Sequence, residues 1–125
     1  MKNHKNVLVF GGTGFVGTRV VQNLIDSGFN PILITRKSST VNKGIKQIEG
    51  SLEDLSSLKS LAKPLNPDCI IYLIGIIKEN PKKMVTFNKM HFEWAARACE
   101  LAQSLNIERI LFMSANGASE IGTPY

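Results

Sequence analysis

The stretch that most constrains the fold is Val7-Leu-Val-Phe-Gly-Gly-Thr-Gly-Phe-Val-Gly17, an apolar run that enters closely spaced glycines and leaves as an amphipathic repeat. Val7 to Phe10 have the β-branched and aromatic character of a strand buried on both faces. Gly12, Gly14 and Gly17 satisfy the spacing G-x-G-x-x-G. In such a turn one glycine permits the sharp bend, one lets backbone approach a pyrophosphate, and one lets the next helix lie close on the strand. The free N–H groups and positive dipole end of that helix then face the phosphates. Glycines at this spacing also arise by chance, so the context decides. Val16, Val20 and Leu24, with Val21 and Ile25, form rows four apart, which predicts a helix from about 14 to 27 ended by Gly28. Strand, glycine turn and helix in this order read as a dinucleotide-binding turn.

The rest of the chain supplies alternating strands and helices. Phe29-Asn30-Pro31 reads as a turn and Ile32 to Thr35 as a second strand ending at Arg36-Lys37. An acidic residue about 20 positions beyond the glycines suits the ribose 2′-hydroxyl of NAD, whereas a basic one suits the 2′-phosphate of NADP. Arg36 stands there, with Lys37 beside it, so NADP(H) is favoured and NAD(H) stays open. Ile45 to Gly50 reads as a third strand. Leu55, Leu58 and Leu61 predict a short helix capped by Asp54 and closed by Pro64 and Pro67. Cys69 to Gly75 is the most apolar run and suits a central strand. Ligands lie beyond the carboxyl ends of parallel strands, which would place Ile74, Gly75 and Ile76 beside the cofactor.

Residues 78–84 read as a loop. From about Thr86 to Leu105, the stripe Phe87, Met90, Trp94, Ala98, Leu101 and Leu105 predicts a long helix whose apolar face is core. His91 lies beside that stripe, as a buried hydrogen-bonding group or a site residue. Arg109 to Ser114 reads as the fifth strand and 115–125 as a loop. Five strands alternating with helices predict an α/β fold, a doubly wound parallel sheet in the order 3-2-1-4-5, in one domain spanning 1–125.

Composition narrows the function classes. A chain 43% hydrophobic and 20% charged has the balance of a folded domain rather than a disordered one. Lys and Arg outnumber Asp and Glu by 15 to 10, but the densest basic group (Lys78, Lys82, Lys83, Lys89) has no aromatic residues interleaved, so a nucleic-acid platform is not expected. Metal-ligand spacing is absent, and no stretch approaches ~20 apolar residues, the length of a membrane span. The basic, then apolar, N-terminus lacks a signal-peptide cleavage site. Cys69 and Cys99 read as buried free thiols, which points to a reducing, cytoplasmic setting.

With these residues in place the chain resembles the short-chain dehydrogenase/reductase superfamily, in its extended and atypical members. The turn Gly11-Gly-Thr-Gly-Phe-Val-Gly17 carries that match. Leu73-Ile-Gly75, Thr86-Phe87 leading to His91, and Ile107 to Ala118 resemble the branch that includes the NADPH-binding accessory subunit of respiratory complex I and its bacterial relatives. The resemblance implies that Gly11, Gly12, Thr13, Gly14, Phe15, Val16 and Gly17 cradle the cofactor. It implies that Ser51 and Leu52 meet adenine, where family members commonly carry Gly-Asp at the positions of Gly50-Ser51. It implies a catalytic Ser at Ser114 and a Tyr acid/base at Tyr125, whose pKa near 10 has to be drawn down by a Lys four positions later. The sequence holds no such Lys.

The family architecture continues with a further helix, more sheet and a substrate-binding portion, so uncovered apolar surface is expected here. A small-molecule substrate, and a homo-oligomer or protein complex formed through the Trp94 helix, are the partners implied. Three functions follow: a portion of an oxidoreductase or epimerase/dehydratase, a non-catalytic NADPH-binding subunit of a respiratory assembly, or a nucleotide-free scaffold. The 125-residue polypeptide itself is expected to bind cofactor weakly and to show no reductase turnover. NADPH oxidation by the purified chain that disappears in Tyr125→Phe would contradict this.

Overall fold

The computed structural model describes residues 5–35, 44–74 and 92–113. Five parallel strands lie in the order β3-β2-β1-β4-β5, as the alternation of elements predicts. They are β1 (Asn6–Phe10), β2 (Asn30–Thr35), β3 (Lys46–Glu49), β4 (Cys69–Tyr72) and β5 (Arg109–Phe112). Three α-helices are described, α1 (Phe15–Asp26), α2 (Leu55–Ala62) and α3 (Trp94–Ser104), with a 3-10 turn at Lys63–Leu65 after α2.

β1 is central, and its alternate side chains enter two different cores. Val7 and Val9 join Leu33, Ile71 and Val21 of α1 on one face. Leu8 and Phe10 join Ile32, Ile34, Ile48, Ile70 and Tyr72 on the other, under Leu58 and Ala62 of α2 and Trp94, Ala98 and Leu101 of α3. Two-sided burial is why this strand reads as an unbroken apolar run. Val9 pairs with both Leu33 and Ile71, so register places these apolar residues side by side.

The helix ends follow from local chemistry. α1 closes with Phe29 N–H donating to Leu24 O at 2.8 Å and Gly28 N–H donating to Ile25 O at 3.1 Å, while Gly28 takes a φ of 86°. This paired closure needs a left-handed residue, which glycine supplies without steric penalty. α3 ends the same way: Ile107 N–H donates to Ala102 O, and Asn106 takes the left-handed place with a φ of 57°. The Asp54 carboxylate caps α2 by accepting from Ser57 N–H at 3.1 Å, as its position predicts.

Several expectations need correction. Asn30 and Pro31 belong to β2 rather than to a turn, Pro31 opposite Val7; proline is tolerated in the first residues of a strand. In α1 the buried residues are Gly17 and Val21, backed by Val20 and Leu24, whereas Val16 and Ile25 are exposed. In α2 Ala62, not Leu61, completes the inner face. The cysteines are free but not buried: Cys69 is half-buried and Cys99 exposed. Cys99 follows Ala98 on α3 and so turns away from the core, and burial still raises the Cys69 thiol above its usual pKa.

The Trp94 indole is buried within the chain, so any contact with another chain through α3 falls to its outer residues. Apolar surface is uncovered at β5, where Leu111 (51% exposed) and Phe112 (44%) expose both faces of the edge strand, with Met113 following. No helix among the described residues is long and apolar enough to cross a membrane.

Gly28→Ala is expected to cost about 1–2 kcal/mol, the left-handed backbone penalty alone, because nothing lies within 4 Å of the place its methyl would take. Denaturant titration reads this, and Gly28→Asn should lose distinctly less.

Candidate functional site

At the carboxyl edge of the sheet the chain leaves β1 through Gly11, which takes a φ of 85°. A Cβ on Gly11 would lie 2.9 Å from the Leu73 carbonyl carbon, so the turn passes directly over the end of β4. On Gly12 a Cβ would meet Leu33 Cδ2 at 2.5 Å, and on Gly17 it would strike the Gly11 carbonyl oxygen and the backbone of Gly12. These three glycines let β1, α1 and the neighbouring strands close on one another. Gly14 is different. A Cβ there would meet only the Gly11 carbonyl oxygen at 3.6 Å, an ordinary contact, and would otherwise stand in open space above the turn.

Gly14 is also the N-cap of α1, and no side chain caps the helix or places an acid in its first turn. Thr18 N–H closes the first helical bond onto Gly14 O at 2.9 Å. The N–H groups of Phe15, Val16 and Gly17 precede that bond and have no acceptor within the helix. The positive end of the α1 dipole is thus left for an external anion, whereas that of α2 is answered by Asp54.

Beside this turn lies a cleft of about 200 Å³. Gly11 and Thr13 of the turn form one side, and Gly50, Ser51 and Leu52, after β3, form another. Phe10, Ile34, Ile74 and Trp94 supply apolar walls. None of these residues carries a formal charge. Ser51 Oγ accepts from Glu53 N–H at 3.1 Å, so the hydroxyl proton is what Ser51 can offer a ligand. At the end of β2, Thr35 Oγ1 is buried with no hydrogen-bond partner among the described residues, a state that costs about 1–3 kcal/mol unless a ligand or water answers it. Behind the cleft, Phe10 and Tyr72 have ring centroids 6.1 Å apart, and Tyr72 and Phe112 5.5 Å apart. Burial pushes the Tyr72 phenol far above its usual pKa, so it stays a neutral packing group.

Of the residues the sequence singles out, Gly11, Thr13, Ser51, Leu52 and Ile74 converge on the cleft. Gly12 and Gly17 are buried beneath it, and Gly14, Phe15 and Val16 lie on the open side of the turn, Phe15 90% exposed. Arg36, Lys37, Gly75, Ile76, His91, Ser114 and Tyr125 lie outside the described residues. Phe10, Ile34, Gly50 and Trp94 line the cleft without having been singled out for it. Phe10 and Ile34 read as core because they are core; being near the carboxyl ends of their strands was the signal that they also border the cleft.

The family model described as the NAD dependent epimerase/dehydratase family matches residues 7–124. UDP-glucose 4-epimerase of Mus musculus is 20% identical, with 96% of this chain and 40% of that protein covered. The NADH-ubiquinone oxidoreductase 40 kDa subunit of Neurospora crassa is 27% identical, with 88% of this chain and 30% of that protein covered. The crystal structure of UDP-glucose 4-epimerase from Brucella ovis in complex with NAD shares the fold at a TM-score of 0.73 and 18% identity, over 86% of this chain and 35% of that one. The chain therefore spans about 40% or less of the length of each of these relatives.

The contrast between the glycines is measurable. Gly17→Ala is expected to destabilise by about 3 kcal/mol or more, since the added methyl meets unyielding backbone. Gly14→Ala should cost less than about 1 kcal/mol, the difference between glycine and alanine at an N-cap. Thermal unfolding of the two variants distinguishes them.

Proposed function

The chain belongs to the NAD dependent epimerase/dehydratase family, and on that premise we propose that it is the dinucleotide-binding portion of an oxidoreductase or epimerase/dehydratase acting on a small-molecule substrate. The observation that carries the reading is the uncapped N-terminus of α1 under the open face of Gly14. The pyrophosphate rests against the N–H groups of Phe15, Val16 and Gly17, with Gly14 giving it room. The adenosine half occupies the adjoining cleft, its base between apolar walls and the Ser51 hydroxyl, with Leu52 and Ile74 beside it. The cleft's size, apolar walls and neutral rim suit a planar base, and the Brucella ovis protein, which shares the fold, is in complex with NAD.

The nicotinamide, when bound, supplies hydride transfer. The chain's own residues hold, orient and exchange protons. Arg36, with Lys37, reads the 2′-phosphate, which makes NADP(H) the preferred cofactor. Gly75 and Ile76 continue the cofactor's path from Ile74. Tyr125 is the acid/base and Ser114 its hydrogen-bonding companion, a pairing that needs a cation nearby to bring the phenol toward neutrality. A reducing, cytoplasmic setting belongs to this reading and rests on two free cysteines.

The Neurospora crassa relative favours a second reading, in which the cofactor is held without turnover inside a respiratory-type assembly. The presence or absence of a Lys four positions after Tyr125 in a longer gene product separates the two.

Calorimetric titration tests the cofactor assignment. NADPH is expected to bind about tenfold tighter than NADH, the value of roughly one charge-assisted contact to the 2′-phosphate. A tenfold or greater advantage for NADH would remove the role given to Arg36. Gly14→Ala should weaken both cofactors by about tenfold or more through the lost close approach while the fold persists; unchanged affinity would empty the site of its phosphate.

A further inference from the structure

The two sides of the cleft come from elements far apart in sequence. Trp94 belongs to α3, and Ser51 and Leu52 belong to the loop between β3 and α2. That loop is shaped by its own neighbours: Gly50 N–H donates to Thr35 O at 2.8 Å, Asp54 N–H to Ser51 O at 3.0 Å and Glu53 N–H to Ser51 Oγ at 3.1 Å. None of these bonds sets its distance from α3. Apolar packing of Leu52 and Leu58 against Trp94 and Ala98 pulls the two together, but such contacts have no preferred direction.

A directional link is present. Arg97 Nη1 donates to Leu52 O at 3.0 Å, across 45 positions of sequence. Arg97 follows Trp94 by three residues, so both project from one side of α3. One turn of helix therefore provides a wall of the cleft and a strut to the opposite wall. The bond is charge-assisted and part-buried, which makes it stronger and more geometrically demanding than a bond between neutral groups.

We infer that Arg97 is a positioning residue for base recognition: through the Leu52 carbonyl it fixes the width of the slot between Trp94 and Ser51, and so the affinity for a nucleotide's planar base, without touching the ligand. The inference rests on the nucleotide-binding reading of the cleft. It assigns Arg97 no part in holding phosphate, because its partner is the wall of the base slot rather than the glycine turn.

The chain has one tryptophan, so its emission reports the slot directly. Titration of the full chain with 5′-AMP, which carries the base, and with inorganic pyrophosphate, which does not, separates the two halves of the site. Arg97→Ala is expected to weaken AMP by about tenfold, the loss of one charge-assisted bond, and to reduce the change in Trp94 emission on AMP addition. Pyrophosphate affinity should change by less than about twofold, since α1 is untouched. Arg97→Lys, which keeps a charged donor, should recover most of the AMP response.

Equal weakening of AMP and pyrophosphate, or AMP binding unchanged in Arg97→Ala, would overturn the assignment. If Arg97→Ala loses cooperative unfolding, the comparison of Arg97→Lys with Arg97→Gln decides in the same way. A wild-type chain that takes up neither AMP nor NADPH would remove the nucleotide-binding reading itself, and the role of Arg97 with it. A wild type that binds AMP and an Arg97→Ala that binds it equally would remove only the strut.

Discussion

The structure depends on how closely α1 lies against the exit of β1. Gly17 has no side chain, and the space one would fill is taken by the Gly11 carbonyl and the backbone of Gly12. With the helix drawn in this far, its first-turn N–H groups open at the carboxyl edge of the central strand. Any larger residue at Gly17 would lift α1 and carry the anion seat away from the cleft. The same close approach lets Leu33, Val9 and Val21 meet over Gly12, so one contact serves both the core and the site.

Two-sided burial of β1 then builds the rest. Val7 and Val9 need cover from α1, and Leu8 and Phe10 need cover from α2 and α3. The helices that supply this cover begin beside the sheet's carboxyl edge, where Phe10, Ile34 and Trp94 run out of core and border open space. The cleft is therefore the upper rim of the hydrophobic core rather than a separate feature. Its apolar walls are as firmly packed as the core itself, with Phe10 2% and Trp94 6% exposed. Rigid walls favour a rigid planar ligand, because little side-chain freedom remains to be lost on binding.

Much of this was legible along the chain because the signals are local. The glycine spacing, the Asp54 cap and the Gly28 stop each depend on backbone geometry within a few residues, and all three stand where the sequence places them. Helix faces were harder. Val16 and Ile25 fit the periodicity of α1 yet face solvent, and Leu61 yields its place to Ala62. Spacing identifies a stripe but not its edges, which depend on where the sheet lies. Cys99 shows the same limit: it neighbours the buried stripe of α3 and points the other way. The lining of the cleft divided similarly. Gly11 and Thr13 stand in the glycine motif, Ile74 at a strand end, and Ser51 and Leu52 were implied by the family resemblance, while Trp94 was not expected in the cleft.

The sequence by itself determined the order of strands and helices, the turn that leaves an uncapped helix end, and the family to which such a turn belongs. These follow from steric and hydrogen-bonding rules that act between near neighbours. Tertiary structure alone decided that Trp94, Phe10 and Ser51 share one cleft, and that Arg97 reaches the carbonyl of Leu52. Those pairings join positions more than 40 apart, and only the crossovers that stack α2 and α3 on one face of the sheet bring them into contact.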